Sequence, residues 1–560
     1  MTSSTFQIAS FSALAVFLSA CSGGGGGSDS PPDTTAPIVS AITPDNSANS
    51  VNRTALVSAT FNEDILGKSV SAGSITLTSD TDAITGTVDF DAQSNTVTYT
   101  PTNKLPKLST ITATVSKDIA DLAGNSMAAE YTWSFTTNDG NWREYALLEG
   151  SRNSTDLPQV AIDSEGNAFA IWIKAIIGPR YNTYVSRYSA SEGNWGEATL
   201  IQSDEKYISY DPQVAFDNAG NAMAIWSQSD GTETSIFTNR YSATDKSWEG
   251  PVLIEDGRGL ADIPQIALDN NGNAMAVWYQ NSGAQVDIYA NYYSAADNSW
   301  GTATLIETDD RGEADYPEVA FDSNGNAFAV WHQTDGTRNS IYANQFSVAD
   351  KTWGTATLIE LDDTSDAKYP QLAIDADGNV MAIWQQSDGA RVNIYANRYS
   401  SEDSSWGDVA LVETDDTGNA QSPQIAFDDN GDAVAVWAQY DGSHRNIYTN
   451  RYSSTASKWL GATLVEIDNE GMSSKPQLSI DNDRNIIVVW QNNTPAGEFN
   501  IWSNRYTSVN GQWGDAELLE SDTLGSGTNP QVAVDADGSA IAIWTHNDTT
   551  ANDIAVNHFD

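Results

Sequence analysis

Cysteine is almost missing from this chain. Cys21 is the one thiol in 560 residues, so an intramolecular disulfide is excluded and stability must come from packing. Positive charge is scarce too: 26 Lys and Arg stand against 75 Asp and Glu, a formal net charge of −49. That balance argues against nucleic acid and anionic membrane surfaces as partners, and suits a soluble chain in salty surroundings or one that attracts cations. The four histidines, His332, His444, His546 and His558, show neither Ser-His-Asp nor metal-ligand spacing. Long apolar runs are lacking as well. The one apolar segment, Ile8 to Ala20, has 13 residues, too few to span a bilayer and suited to a signal-peptide core.

What is present is repetition. The stretch Pro370-Gln371-Leu372-Ala373-Ile374-Asp375-Ala376-Asp377-Gly378-Asn379-Val380-Met381-Ala382-Ile383-Trp384 recurs eight times. Its opening prolines are Pro158, Pro212, Pro264, Pro317, Pro370, Pro423, Pro476 and Pro530, spaced by 52 to 54 residues. Its closing tryptophans are Trp172, Trp226, Trp278, Trp331, Trp384, Trp437, Trp490 and Trp544, and so regular a period fixes the architecture. Each repeat predicts four strands; in the fifth they are 370–375, 379–384, 393–400 and 406–413. The first two are joined by Ala376-Asp377-Gly378, a tight-hairpin signal. In the second strand Met381 and Ile383 point one way, Ala382 and Trp384 the other. Both faces are apolar, so the sheet must be covered on both sides, and radial stacking of small sheets meets that demand.

The array opens on a lone fourth strand, Trp142 to Glu149, and stops on a third strand, Asp553 to Phe559. The first strand therefore completes the last repeat and closes a ring, covering an edge that would otherwise be open. The expected fold is all-β: a β-sandwich followed by an eight-bladed β-propeller over residues 141–560, closed by the N-terminal strand of the array. The pattern resembles the propellers of WD-repeat, lectin and sialidase-like proteins.

Upstream, Leu18-Ser19-Ala20-Cys21 resembles the cleavage box of bacterial lipoproteins. The resemblance implies a signal peptide over residues 1–21 and lipidation of Cys21, and Ser22 after it resembles lipoproteins sent to the outer membrane. Gly23 to Gly27 and then Ser28-Asp29-Ser30-Pro31-Pro32 form a tether over residues 22–34. Residues 35–137 alternate with period 2 in Thr- and Val-rich runs such as Leu56 to Phe61 and Thr110 to Val115. Thr35-Ala36-Pro37, Phe61-Asn62-Glu63-Asp64, Asp118 to Asn125 and Tyr131 to Thr137 resemble the bacterial Ig-like domain of S-layer and surface proteins. That family implies a spacer or adhesion module. Asp64, Asp118 and Asp121 are read as solvated turn carboxylates, with a shared cation as the other reading.

In the array, the loops before the first strand and after the second share one rim and are the longer ones, so this rim is the expected ligand face. It carries Asp335-Gly336-Thr337-Arg338, Asp388-Gly389-Ala390-Arg391 and Asp441-Gly442-Ser443-His444-Arg445 in adjacent blades. Asp335, Arg338, Asp388, Arg391, Asp441 and Arg445 are thus the candidate binding residues, suited to a carboxylate or a sugar; the other reading is turn aspartates and solvated arginines. Acidic loops such as Glu307-Thr308-Asp309-Asp310-Arg311 and Glu413-Thr414-Asp415-Asp416 lie on the same rim. The Asp-x-x-Gly turns, for example Asp375 to Gly378 and Asp535 to Gly538, lack the length and terminal Glu of an EF-hand loop. They are read as hairpins, with calcium as the alternative, and no cofactor is otherwise expected. The residue two past each closing Trp (Lys174, Gln228, Gln280, Gln333, Gln386, Gln439, Asn492, His546) is expected to hydrogen-bond a neighbouring backbone, with a pocket-lining ring of eight as the other reading.

An enzyme needs a blade that differs from the others, and the blades are uniform. The sialidase box Ser-x-Asp-x-Gly-x-Thr-Trp is absent, and no residue is assigned as catalytic. The function read from the sequence is a cell-surface lipoprotein, anchored to the outer membrane only through its lipid. It is expected to be a monomer whose propeller binds a glycan or protein ligand. The alternative is a polysaccharide lyase or glycoside hydrolase on the same scaffold.

Overall fold

The computed structural model describes residues 33–560 except 80–81, 150–153, 178–179, 204–206, 230, 258, 282, 284, 309–311, 361–364, 415–417, 467–470, 495–496, 521–524 and 549. Cys21 and the tether lie outside the described residues, as do Asp309, Asp310, Arg311, Asp415 and Asp416. The chain divides into two compact units, one ending at Asp139 and the other covering Gly140–Asp560. Among the described residues no helix is long and apolar enough to cross a membrane.

The first unit is a sandwich of eight strands. They are β1 (Val39–Thr43), β2 (Val57–Phe61), β3 (Ile75–Ser79), β4 (Asp82–Ile84), β5 (Gly86–Asp91), β6 (Thr96–Pro101), β7 (Thr110–Val115) and β8 (Tyr131–Thr136). One sheet runs β1-β2-β6-β5 and the other β4-β3-β7-β8. Alternation sends Val57, Ala59 and Phe61 from one sheet against Ile111, Ala113, Val115, Trp133 and Phe135 from the other. Asp64 pairs with Asn95 and Asp118 with Ser116. The carboxylate that gathers others is Asp121, beside Asp33 and Glu63 rather than Asp64 and Asp118.

The second unit consists of eight blades, numbered here from the one holding Pro158 to the one holding Pro530. In blade 5 the strands are Ala367–Ile374, Val380–Ser387 and Val392–Ser400, then two short pieces, Ser405–Trp406 and Ala410–Leu411. The second strand is buried on both faces, as its two apolar sides require. Trp384 packs on Val330, Ile341 and Ile359 of blade 4, so the large side chain of one blade fills the wall of its neighbour. The indole N–H groups of Trp226, Trp278, Trp331, Trp384 and Trp437 donate to the glutamines two residues on, so these residues bond side chains rather than the expected backbone partners.

The outer strand corrects the expected continuous run 406–413. It is broken by a bulge: Trp406 faces Tyr399 and Ala410 faces Ala396, one residue more on the outer strand than on its partner. The buried Asn397 of the partner sends its amide to the Ile359 carbonyl of blade 4, 2.7 Å away. The equivalent amides of Asn344 and Asn504 also reach the glycine carbonyl at the break.

The ring closes. Ala146 and Leu147 pair with Val556 and Ala555 as the outer strand of blade 8, and Trp142 bridges to Phe559. Ile543 and Ile554 of blade 8 pack on Ala170 and Trp172 of blade 1. The hairpin turns repeat the closure on the opposite rim. Asp217 accepts N–H groups from Ala219 and Asn221 and the Asn221 amide, and its carboxylate faces Gly272 of the next blade. A β-carbon on Gly272, at φ +80, would lie 2.8 Å from that oxygen. The series runs round until Asp535 of blade 8 faces Gly166 of blade 1. The turn aspartates thus spend their oxygens on N–H groups, the geometry of a hairpin.

Candidate functional site

The inner strands decide where the blades differ. They form the innermost edge of each sheet, and each touches the next round the ring. Just before the repeated proline every inner strand carries one extra residue: in blade 5 Lys368 faces Gln385, but Gln371 faces Ile383. The residues before the prolines, Leu157, Asp211, Ile263, Tyr316, Tyr369, Ser422, Lys475 and Asn529, all have φ between 45 and 55°. Left-handed backbone is rare outside glycine, and a β-branched Ile263 there is a genuine outlier. Each costs on the order of 1–3 kcal/mol, and such strain gathers at functional sites. A bulge re-aims its side chain, so eight side chains are thrust out at the mouth of the ring, on the rim with the longer loops. These eight differ in chemistry from blade to blade.

Across blades 7, 8 and 1 the mouth is wired shut by hydrogen bonds. The Lys475 ammonium donates to Asn529 Oδ1, the Asn529 amide to Asp156 Oδ1, and the Thr545 hydroxyl to the same oxygen. Gln491 accepts the Asn529 N–H.

Across blades 2 to 5 the mouth is aromatic and acidic. Tyr316 stacks on His332 at 5.4 Å between ring centres and 20° between planes. Tyr369 meets Tyr316 edge-on at 4.8 Å and His332 at 5.9 Å. Both tyrosines are exposed, at 39% and 41%, whereas His332 is 7% exposed and its Nδ1 has no hydrogen-bond partner. Burial, aided by the Lys368 ammonium, pushes the His332 imidazole down to about 4, so it is neutral at neutral pH. Beside this stack lie Asp211, Asp262 and Asp315, one from each of blades 2 to 4. Burial, then the Asp262 charge, pushes the Asp211 carboxyl up to about 6. Burial raises Asp315 also, against the lowering by the Tyr316 N–H it accepts at 2.7 Å. Tyr279 sits above its ordinary range through burial and the charges of Asp262, Asp315 and Asp211.

The residues expected from sequence lie on the same rim. Asp335 accepts from the Thr337 hydroxyl and from the N–H groups of Thr337 and Arg338, and these bonds hold its carboxyl down to about 2. Asp388 and Asp441 close their turns alike, Asp441 also at about 2. Asp548 in blade 8 does the same. The carboxylates therefore shape the loops. Arg445 donates through Nε to the Ser473 carbonyl of blade 7, with its aliphatic stem half-buried. The structure brings Tyr316, His332, Tyr369, Asp211, Asp262 and Asp315 together, and sequence reading passed over them. The signal was there: aligned repeats disagree both at the position before each proline and at the position after each closing tryptophan, where His332 stands. Clefts also lie on the outer wall between blades 2 and 3 and between blades 4 and 5. They are lined by repeat residues such as Trp300, Gly301, Trp406 and Gly407 that serve blade packing.

Comparison with known proteins adds the following. Residues 33–137 match the family profile of the bacterial Ig-like domain. No curated protein matches. Among solved structures, an ulvan lyase from a new family of polysaccharide lyases, bound to its saccharide, aligns at 9% identity. It covers 74% of this chain and 95% of its own, with a TM-score of 0.45. The β-propeller domain of the Trilobed protease from Pyrococcus furiosus aligns at 7% identity over 66% of this chain and 99% of its own, TM-score 0.40. An α-L-arabinanase from Penicillium chrysogenum aligns at 11% over 62% and 94%, TM-score 0.38. Likenesses so distant carry no argument about activity. By its own sheets and closing seam the chain is an eight-bladed propeller, preceded in sequence by a domain that matches the bacterial Ig-like profile.

Proposed function

We propose that this propeller is a non-catalytic module that binds a glycan at the channel mouth of blades 2 to 5, on a protein displayed at the bacterial cell surface. One observation carries the reading: two exposed tyrosines flank a buried histidine, beside three carboxylates, where the inner strands of blades 2 to 5 differ from those of the other blades. Aromatic faces take the apolar side of a sugar ring, while carboxylates and imidazole take its hydroxyls. The surrounding Arg338, Arg391 and Arg445 loops would meet further units of an oligosaccharide. A glycan array followed by calorimetry on the purified chain tests this. Saturable binding is expected, weakened about tenfold or more, near 1.4 kcal/mol, by Tyr316→Ala or Tyr369→Ala with the circular dichroism unchanged. Full binding in both variants would sink the assignment. Display at the surface rests on the Ig-like domain and on the Cys21 box; Cys21→Ser should release the chain from membranes.

A second reading has its own support. Asp211 holds its proton to about 6 next to Asp262, and carboxyls whose environments push them apart are how acid and base roles are divided. Under that reading polysaccharides incubated with the chain yield shorter products, and Asp211→Asn abolishes them.

A further inference from the structure

Resting on the glycan reading, we infer that the ligand of this mouth is cationic: a chain of protonated amino sugars rather than neutral or uronate units. Asp211, Asp262 and Asp315 occupy neighbouring blades at the same rim. Asp262 and Asp315 each accept one N–H from the following residue, at 3.0 and 2.7 Å. The Asp211 carboxylate has neither a hydrogen bond nor an ion pair among the described residues. In blades 7, 8 and 1 the chain satisfies the equivalent ring internally, with Lys475 supplying an amine two blades from Asp156. Blades 2 to 4 have the acids of that arrangement without its ammonium, and the Lys368 ammonium of blade 5 is paired with Asp366 at 2.9 Å.

Three further features select the same ligand. The aromatic faces of Tyr316 and Tyr369 attract an ammonium group through the ring quadrupole. The buried His332, neutral at neutral pH, adds no positive charge to the mouth. The net charge of −49 concentrates cations at the mouth and repels uronates. The groups facing Asp211 are Asp262, Tyr279 and Tyr316. A bound ammonium favours the charged form of Asp211 against the burial and the Asp262 repulsion that keep it protonated, so binding near pH 6 releases a proton.

The test uses the purified chain with three oligosaccharides of one length: glucosamine oligomer, its fully N-acetylated form and a uronate oligomer, with poly-lysine as a fourth probe. At physiological salt the amine form is expected to bind about tenfold more tightly than the acetylated one, and the uronate not at all. Affinity for the amine form should climb from about pH 5 to about pH 6.5, with proton release seen as heats that differ between buffers. The double variant Asp211→Asn with Asp262→Asn should erase the amine preference, so that the amine and acetylated forms bind within about twofold of each other, with an unchanged circular dichroism spectrum showing that the variant is folded. Acetylated oligomer bound as tightly as the amine form, with loss in Tyr316→Ala, would overturn the cationic assignment and leave the glycan reading standing. Amine oligomer bound equally by the Asp variant would place it on the acidic exterior and overturn the inference. Poly-lysine bound with the same dependence on the two aspartates would overturn the sugar identity. Failure of every oligosaccharide to bind would remove the glycan reading itself.

Discussion

Glu318 is a single carboxyl in a ring of amides. The residue after each repeated proline is Gln159, Gln213, Gln265, Gln371, Gln424, Gln477 or Gln531, and in blade 4 it is Glu318. Gln371 donates to it from blade 5 at 2.8 Å. Burial pushes Glu318 up to about 7 from an ordinary 4.5, with the Gln371 bond opposing. Between those values the folded chain holds a proton that the unfolded chain has lost. Stability attributable to this group is therefore highest below the ordinary value, falls as pH rises through the window, and is fully lost above the folded value. Glu318→Gln completes the amide ring and should raise the melting temperature at about pH 8 by about 1–3 °C, with no gain at about pH 4. A gain of equal size at both pH values would mean that repulsion of this carboxylate is not the cause. That such a residue stands in the ring was legible in the sequence as one Glu among seven Gln. That its part-buried carboxyl faces the amide of the next blade was not, because that partner lies 53 residues on.

At the scale of strands, the buried asparagines of the third strands join the blades. Asn239, Asn291, Asn344, Asn397, Asn450, Asn504 and Asn557 each donate to a carbonyl in the outer strand of the preceding blade. Blade 1 has Ser186 instead, which bonds its own outer strand at Gly196. The seam between blades 8 and 1 relies on other contacts: Trp172 to Glu149, the Lys174–Glu149 ion pair and Trp195 to His558. Asn397→Ala should cost about 1–3 kcal/mol, since it leaves the buried Ile359 carbonyl without its donor. Chemical denaturation measures this, and a loss below about 0.5 kcal/mol would show the asparagine to be dispensable. Period, hairpin turns and strand phase were legible because they depend on neighbours in sequence. The break in the outer strand was not, since it depends on an asparagine inserted from the facing strand. Nor was the left-handed residue before each proline: Leu157, Ile263 and Tyr316 are not residue types that announce positive φ.

For the molecule as a whole, closure is the main stabilising event. Removing residues 141–149 uncovers the edge of the strand Asn552–Phe559 and takes away Leu148 and Tyr145, which pack on blades 1 and 8. Burial of each large apolar side chain contributes about 1.5–3 kcal/mol, so this deletion should cost several kcal/mol and promote association through the freed edge. Calorimetry and light scattering test it; a deletion that melts like the intact chain and stays monomeric would contradict a load on the seam. Self-repulsion from the charge of −49 acts on the same ring, and the melting temperature should rise with ionic strength over the range in which the Debye length shrinks to about 10 Å. Magnesium and calcium are expected to act alike here, because the hairpin aspartates are engaged by N–H groups.

The pairing of Leu147 with Ala555 also sets an order of events. The strand made first in the array must wait, unpartnered, until the last one has been synthesised and delivered to the same compartment. Any product that stops before Asn552 keeps an open edge, however well its finished blades have packed. The seam thus proofreads the length of the array: only a chain that has arrived entire can fasten itself.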